Sequence, residues 1–190
     1  MPLTMIAAQG AVVVDELAVP QPTGDVQSWE TYFAPGDDIH GVIVDELRRA
    51  VTAKAECHSS QYGFTDQDIA DLFVKLGKNK LSHFLFDKTQ AAGTHERPVL
   101  QKMLGSIPAS QWAIGTSSKA HQILHTKAIA IRYGDGTGWT VTGSFNLSHS
   151  AEDQFNIVDV VRSRSRADLF VSRLSAMFDW VKANEPGVTP

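Results

Sequence analysis

The chain has 190 residues, 43% of them hydrophobic, and a formal net charge of −4, enough for one ordinary globular domain with a sizeable core. No apolar run is long enough to cross a membrane; the longest are of strand length, such as 129–131 and 157–161. A single cysteine, Cys57, excludes an internal disulfide framework and a cysteine-cluster metal site, and the N-terminus lacks the basic segment of a secretory signal, which together predict a cytoplasmic protein.

Residues 1–30 read as a partly irregular arm, with a short strand near Val12–Val14, because Pro20, Pro22 and Gly24 break any period. Residues 31–190 read as one domain. Within it, Asp37–Val51 puts Ile39, Val42, Ile43, Leu47 and Ala50 on one face, the spacing of an amphipathic helix. Glu56–Tyr62 is strand-like. Thr65 is the expected N-cap of a helix over Gln67–Leu76. Leu81–Asp87 has the apolar content of a buried strand, and Glu96–Leu104 is helical with Pro98 in its first turn. Gln111–Ile114 and Ile123–Arg132 follow as strands. Gly134–Gly138 supplies the turn of a hairpin into Trp139–Thr142. Phe155–Val161 is a further strand, and Ala167–Lys182 a closing amphipathic helix. This alternation predicts an α/β fold: a mixed, mainly parallel sheet flanked by helices on both faces.

Charge is unevenly spread. Residues 1–38 hold six acids and no Lys or Arg, leaving 17 basic and 15 acidic side chains for the rest. The remainder is near neutral, so composition neither demands nor excludes a nucleic-acid partner.

The informative residues are His125-Thr126-Lys127 and Gly143-Ser144-Phe145-Asn146. On a strand, 125 and 127 project to the same face, and the second segment ends the returning hairpin strand beside them. Together they offer an imidazole, a fixed positive charge and neutral hydrogen-bond donors, the parts needed to hold and attack a phosphoryl group without a metal. A lone His-x-Lys is a frequent accident; the paired Gly-Ser-x-Asn on the next strand gives it weight.

Other polar residues carry less. His40, His58, His83 and His95 are read as structural or surface histidines, and Cys57 as a small core residue. His121 and His149 fall near the site by sequence and are candidates for its rim. Lys88 follows a strand end and is a candidate cleft residue. Arg162, Arg164 and Arg166 read as a solvated edge able to meet a backbone phosphate.

These residues resemble the phospholipase D superfamily, whose signature is His-x-Lys-x-x-x-x-Asp followed by Gly-Ser-x-Asn. His125, Lys127, Gly143, Ser144 and Asn146 match it, and the segments 32–38, 62–66 and 86–90 resemble the family's first-helix entry and strand ends. The similarity spans about residues 30–180 and is closest to the small bacterial endonucleases that carry one motif per chain. Two positions depart from the pattern. Arg132 stands where the family has its aspartate, with Asp135 in the longer hairpin as a candidate substitute. Ile157 stands where the family has a histidine-orienting glutamate, and Glu152 is the acid assigned that role here.

The resemblance implies a metal-independent, cofactor-free phosphodiesterase acting through a phosphohistidine on His125. Lys127, Asn146, Ser144 and Glu152 complete the catalytic set, and Gly143, Lys88 and His149 contact substrate. One motif per chain implies a homodimer with a shared site. A nucleic acid, DNA or RNA, is the expected substrate. A phospholipase or phosphatidyl transferase is the alternative enzyme, although no membrane-facing element is evident outside the arm and no stable membrane association is expected. A catalytically degenerate nucleic-acid-binding module is the reading from another class.

Overall fold

The computed structural model describes residues 25–117 and 122–190; the strand expected near Val12–Val14 and the candidate His121 lie outside them. Seven strands form one sheet: β1 (Ser28–Ala34), β2 (Glu56–Gln61), β3 (His83–Asp87), β4 (Trp112–Gly115), β5 (Lys127–Arg132), β6 (Gly138–Gly143) and β7 (Asn156–Arg162). Their order is β1-β7-β6-β5-β2-β3-β4. The sheet is mixed but mostly antiparallel, not mainly parallel as the sequence suggested. Parallel neighbours need a long crossover, and only β2–β3 and β3–β4 have one in the sheet. The pairs β1–β7, β7–β6, β6–β5 and β5–β2 are all antiparallel.

Five α-helices are described: α1 (Ile39–Thr52), α2 (Gln67–Leu76), α3 (Lys88–Ala91), α4 (Glu96–Leu104) and α5 (Arg164–Asn184). Both faces of the sheet are covered, and β5 shows how. Its side chains alternate: Ile129 and Ile131 enter the larger core with α1, α2 and α4, while Ala128 and Ala130 pack on Val171 and Leu174 of α5. The small alanines let the long helix lie close to the strand. In the larger core Phe64, Phe73, Phe84 and Phe86 pack together with ring centroids 4.9 to 5.7 Å apart. Each fully buried ring is worth about 1.5–3 kcal/mol, so the elements that carry the motif rest on a stiff base.

The helix ends follow side-chain chemistry. Asp38 caps α1 through Gly41 N–H. Asp66, rather than Thr65, caps α2 by accepting from Ile69 N–H at 2.8 Å; its carboxylate also lies 2.8 Å from His40 Nε2. Ser163 caps α5, and Asp25 accepts hydrogen bonds from Ser163 Oγ and from Ser165 N–H and Oγ. Hydrogen bonds from Ser165, chiefly its hydroxyl, hold the Asp25 carboxyl at about 2.

Several elements differ from expectation. β1 begins inside the segment read as arm and lies at the sheet edge against β7, a pairing across more than a hundred residues that no local pattern announces. The strand expected from Ile123 starts only at Lys127, because Leu124 N–H donates to the buried carboxylate of Asp87 (2.7 Å) instead of to a neighbouring strand. The arginines 162, 164 and 166 are not a loose solvated edge. Arg162 forms a two-pronged bond to Glu46 of α1 (3.0 and 2.6 Å), Arg164 pairs with Asp168, and Arg166 lies over the Trp29 and Phe170 rings. Arg132, in place of the family's aspartate, reaches Glu56 across the β2–β5 pair at 2.6 Å and Asp168 at 3.3 Å. Asp135 accepts from Thr137 within the turn and does not substitute.

Candidate active site

The motif residues converge on Tyr62, which leaves the end of β2. Its N–H donates to Thr126 O (2.9 Å), so the chain before β5 is held beside it although it is no longer regular strand. The His125 imidazole meets the Tyr62 ring edge-on with centroids 4.8 Å apart, and Lys127 Nζ lies 5.0 Å from the same ring's centre. The Tyr62 hydroxyl accepts from Gln90 Nε2 at 2.9 Å, which fixes the ring from its far end.

His125 is exposed while Lys127 is buried, at 8% of its free surface. The ammonium donates to His125 O at 3.4 Å, and among the described residues it has no carboxylate partner. Burial lowers its pKa from the ordinary lysine value. The adjacent Gln61 keeps its Oε1 buried with no hydrogen-bond partner among the described residues, while its amide nitrogen donates to Ser59 Oγ and Ala128 O.

The second motif segment is tied to the same place. Asn146 Oδ1 accepts from Gly63 N–H at 3.3 Å, and Thr65 and Asp66 N–H both donate to Leu147 O. A Cβ on Gly63 would lie 3.2 Å from the Asn146 side chain, so glycine lets the two segments approach. Gly143 is tighter still: a Cβ there would fall 2.1 Å from Ile157 O. Ser144 exchanges backbone and side-chain bonds with the start of β7; its N–H donates to Ile157 O, and its Oγ donates to Asn156 Oδ1 (2.9 Å) and accepts from Ile157 N–H. Asn156 in turn donates to Ala151 O at 2.8 Å.

Two assigned residues have partners other than His125 and Lys127. Lys88 opens α3 and pairs with Glu185 at 3.2 Å. Glu152 faces His149 at 3.7 Å, both on the surface, and among the described residues no carboxylate bonds to His125. Tyr62 and Asn156 went unassigned in the sequence; the only signals were the segment 62–66 and the position next to Ile157.

A groove of about 400 Å³ opens from this cluster, bordered by His125, Lys127, Thr142, Gly143, Phe170 and Arg173. Beside it, the start of β7 and its edge partner β1 expose apolar side chains that the sequence did not flag: Phe155 at 96%, just before β7, and the register partners Phe33 and Ile157 at 55% and 54%. Among the described residues no group of three or more His, Cys, Asp or Glu is placed to hold a metal ion, and no helix is long and apolar enough to cross a membrane.

No family model and no curated protein matches the sequence. Solved structures do match. Nuc from Salmonella typhimurium, described as a phospholipase D family member, superposes with a TM-score of 0.61 at 20% identity, over 80% of this chain and 95% of that one. NucT from Helicobacter pylori gives 0.55 at 15% identity, over 80% and 97%. The polyphosphate kinase of Porphyromonas gingivalis gives 0.59 at 15% identity, over 86% of this chain but 27% of the kinase. The sheet, its helices and the near-complete span of the first two matches give this chain the fold of the phospholipase D family.

Proposed function

We propose that the protein is a metal-independent phosphodiesterase, a nuclease, whose nucleophile is His125. The observation that carries this is the state of Lys127: a buried ammonium with no carboxylate partner among the described residues, beside an exposed imidazole, on one tyrosine ring. A desolvated cation is costly unless an anion joins it, and a phosphodiester supplies that anion at the mouth of the groove. The likeness in fold and length to Nuc and NucT supports the reading.

In this scheme a ring nitrogen of His125 attacks phosphorus and forms a P–N bond as the P–O bond to the leaving group breaks. The leaving oxygen takes a proton from the second imidazole, His125 of the partner subunit. Water then attacks phosphorus, gives its proton to that second imidazole and displaces the first. Lys127 and Asn146 stabilise the charge on the non-bridging oxygens, each worth about 3 kcal/mol of barrier. Ser144 and Asn156 set the position of Gly143 and Asn146. Tyr62, rather than an acid, orients His125.

The chain carries one His-x-Lys motif, so the scheme requires a twofold dimer. The exposed Phe33, Phe155 and Ile157 beside the motif are apolar surface suited to a second copy. The same residues also suit a lipid surface, which keeps a phospholipase reading in view. Turnover of single- and double-stranded DNA, RNA and phospholipid vesicles in EDTA tests the substrate class. Hydrolysis of nucleic acid that survives chelation is expected; activity confined to vesicles, or restored only by Mg²⁺, contradicts the proposal. Refolding equal amounts of wild-type and His125→Ala chains together should leave about one quarter of the activity for a shared site, against about one half for independent sites.

A further inference from the structure

Arg173 of α5 lines the same groove as His125 and Lys127 and is half-buried there. Among the described residues it is the arginine without an engagement. Arg48, Arg49, Arg97, Arg132, Arg162, Arg164 and Arg166 each hold a hydrogen bond to a carboxylate, hydroxyl or carbonyl oxygen. Among the described residues Arg173 has no hydrogen bond, ion pair or ring contact. Leu169, Phe170 and Leu174 supply apolar wall beside it. A guanidinium is a rigid fork of donors that matches phosphate oxygens, and among the described residues nothing occupies this one.

We propose that Arg173 binds a second phosphate of a single nucleic-acid strand, one that runs along the groove from the phosphate held at Lys127, with sugar or base against the Phe170 wall. The proposal rests on the nuclease reading for the identity of the strand but not for its test, which reads binding alone. It makes the groove between the β5–β6 strand ends and α5 a positioning subsite. A strand with several phosphates is then held more firmly than an ester with one.

The test uses the full chain carrying His125→Ala, so that a fluorescent single-stranded DNA oligonucleotide is bound without being cut. Adding Arg173→Ala should weaken affinity about tenfold and lower the slope of log Kd against log salt by about 0.7, the share of one phosphate contact to a single strand. Arg173→Lys should keep the slope, since the charge remains. Melting temperature and sedimentation should be unchanged. An unaltered affinity and slope, no binding by the parent His125→Ala chain, or a loss that comes with a changed sedimentation coefficient would each overturn the subsite. Hydrolysis of bis(p-nitrophenyl) phosphate by the wild-type chain reads the catalytic proposal separately, because that ester carries one phosphate and does not reach Arg173.

Discussion

Lys127 Nζ lies 5.0 Å from the centre of the Tyr62 ring, a buried cation resting on an aromatic face instead of on an acid. Cation–π attraction offsets part of the desolvation, by about 2 kcal/mol at a desolvated site, and burial still lowers the ammonium's pKa. Because the unfolded chain binds this proton more tightly, the shift destabilises the charged fold, and stability rises with pH as the folded group titrates below 10.5. Lys127→Met should therefore melt no lower than the wild type at neutral pH while losing turnover by about 10²–10³-fold. Thermal melting beside single-turnover kinetics checks both halves. A marked loss of stability would mean that the charge is structural.

Tyr62 is the hinge of the site by geometry, touching both His125 and Lys127. Tyr62→Phe keeps the ring and loses only the bond from Gln90, so its kcat should stay within about threefold of wild type. Tyr62→Ala removes the support of both groups and should lower kcat by about 10–100-fold, the scale of a misplacement of about an ångström. Equal effects of the two variants would assign the role to the hydroxyl instead.

Gly143 sits so close to β7 that a methyl group would collide with the backbone at Ile157 and Val158. Backbone cannot swing aside as a flexible side chain does. Gly143→Ala should destabilise the protein by about 1–3 kcal/mol in urea unfolding and lower turnover through displaced Ser144 and Asn146. An unchanged urea midpoint would show that the β6–β7 spacing is loose.

Far from the groove, the Glu56–Arg132 pair predicts acid sensitivity. Burial by itself raises the Glu56 carboxyl, but hydrogen bonds from His58 and Arg132, with the Arg132 charge, outweigh it and hold the group at about 2 against an ordinary 4.5. A depressed carboxyl contributes its stability fully above 4.5 and loses it as pH falls through about 2. Glu56→Gln should cost about 2 kcal/mol at pH 7, and the gap to wild type should shrink as pH is lowered through that window. A gap that stays constant from pH 7 to pH 3 would assign the cost to packing.

How much of this was legible follows from where the information lies along the chain. The helices Gln67–Leu76 and Glu96–Leu104 have the limits their apolar period suggests, because helical contacts are local. The hairpin was equally local: β5 and β6 flank the Gly-rich turn. Strand direction was not. That β5 runs antiparallel to β2, and that β1 closes the far edge against β7, depend on partners distant in sequence. The site divides the same way. His125, Lys127, Gly143, Ser144 and Asn146 are gathered by one hairpin and its flanks. Lys88 was assigned from its place after a strand end and Glu152 as an acid close to the family's glutamate position; Lys88 pairs with Glu185, and Glu152 lies 3.7 Å from His149. Tyr62 was invisible as a site residue because its role depends on how β2 ends against Thr126.

The central claim, a covalent bond from phosphorus to His125, is tested most directly by capture. A phosphodiester labelled at the scissile phosphate is mixed with excess enzyme in EDTA and quenched within one turnover. The account predicts a protein-bound label that is labile in acid and stable in alkali, as a phosphoramidate is, on the peptide containing His125 and absent from His125→Ala. Turnover without bound label, or label that persists in His125→Ala, would contradict it.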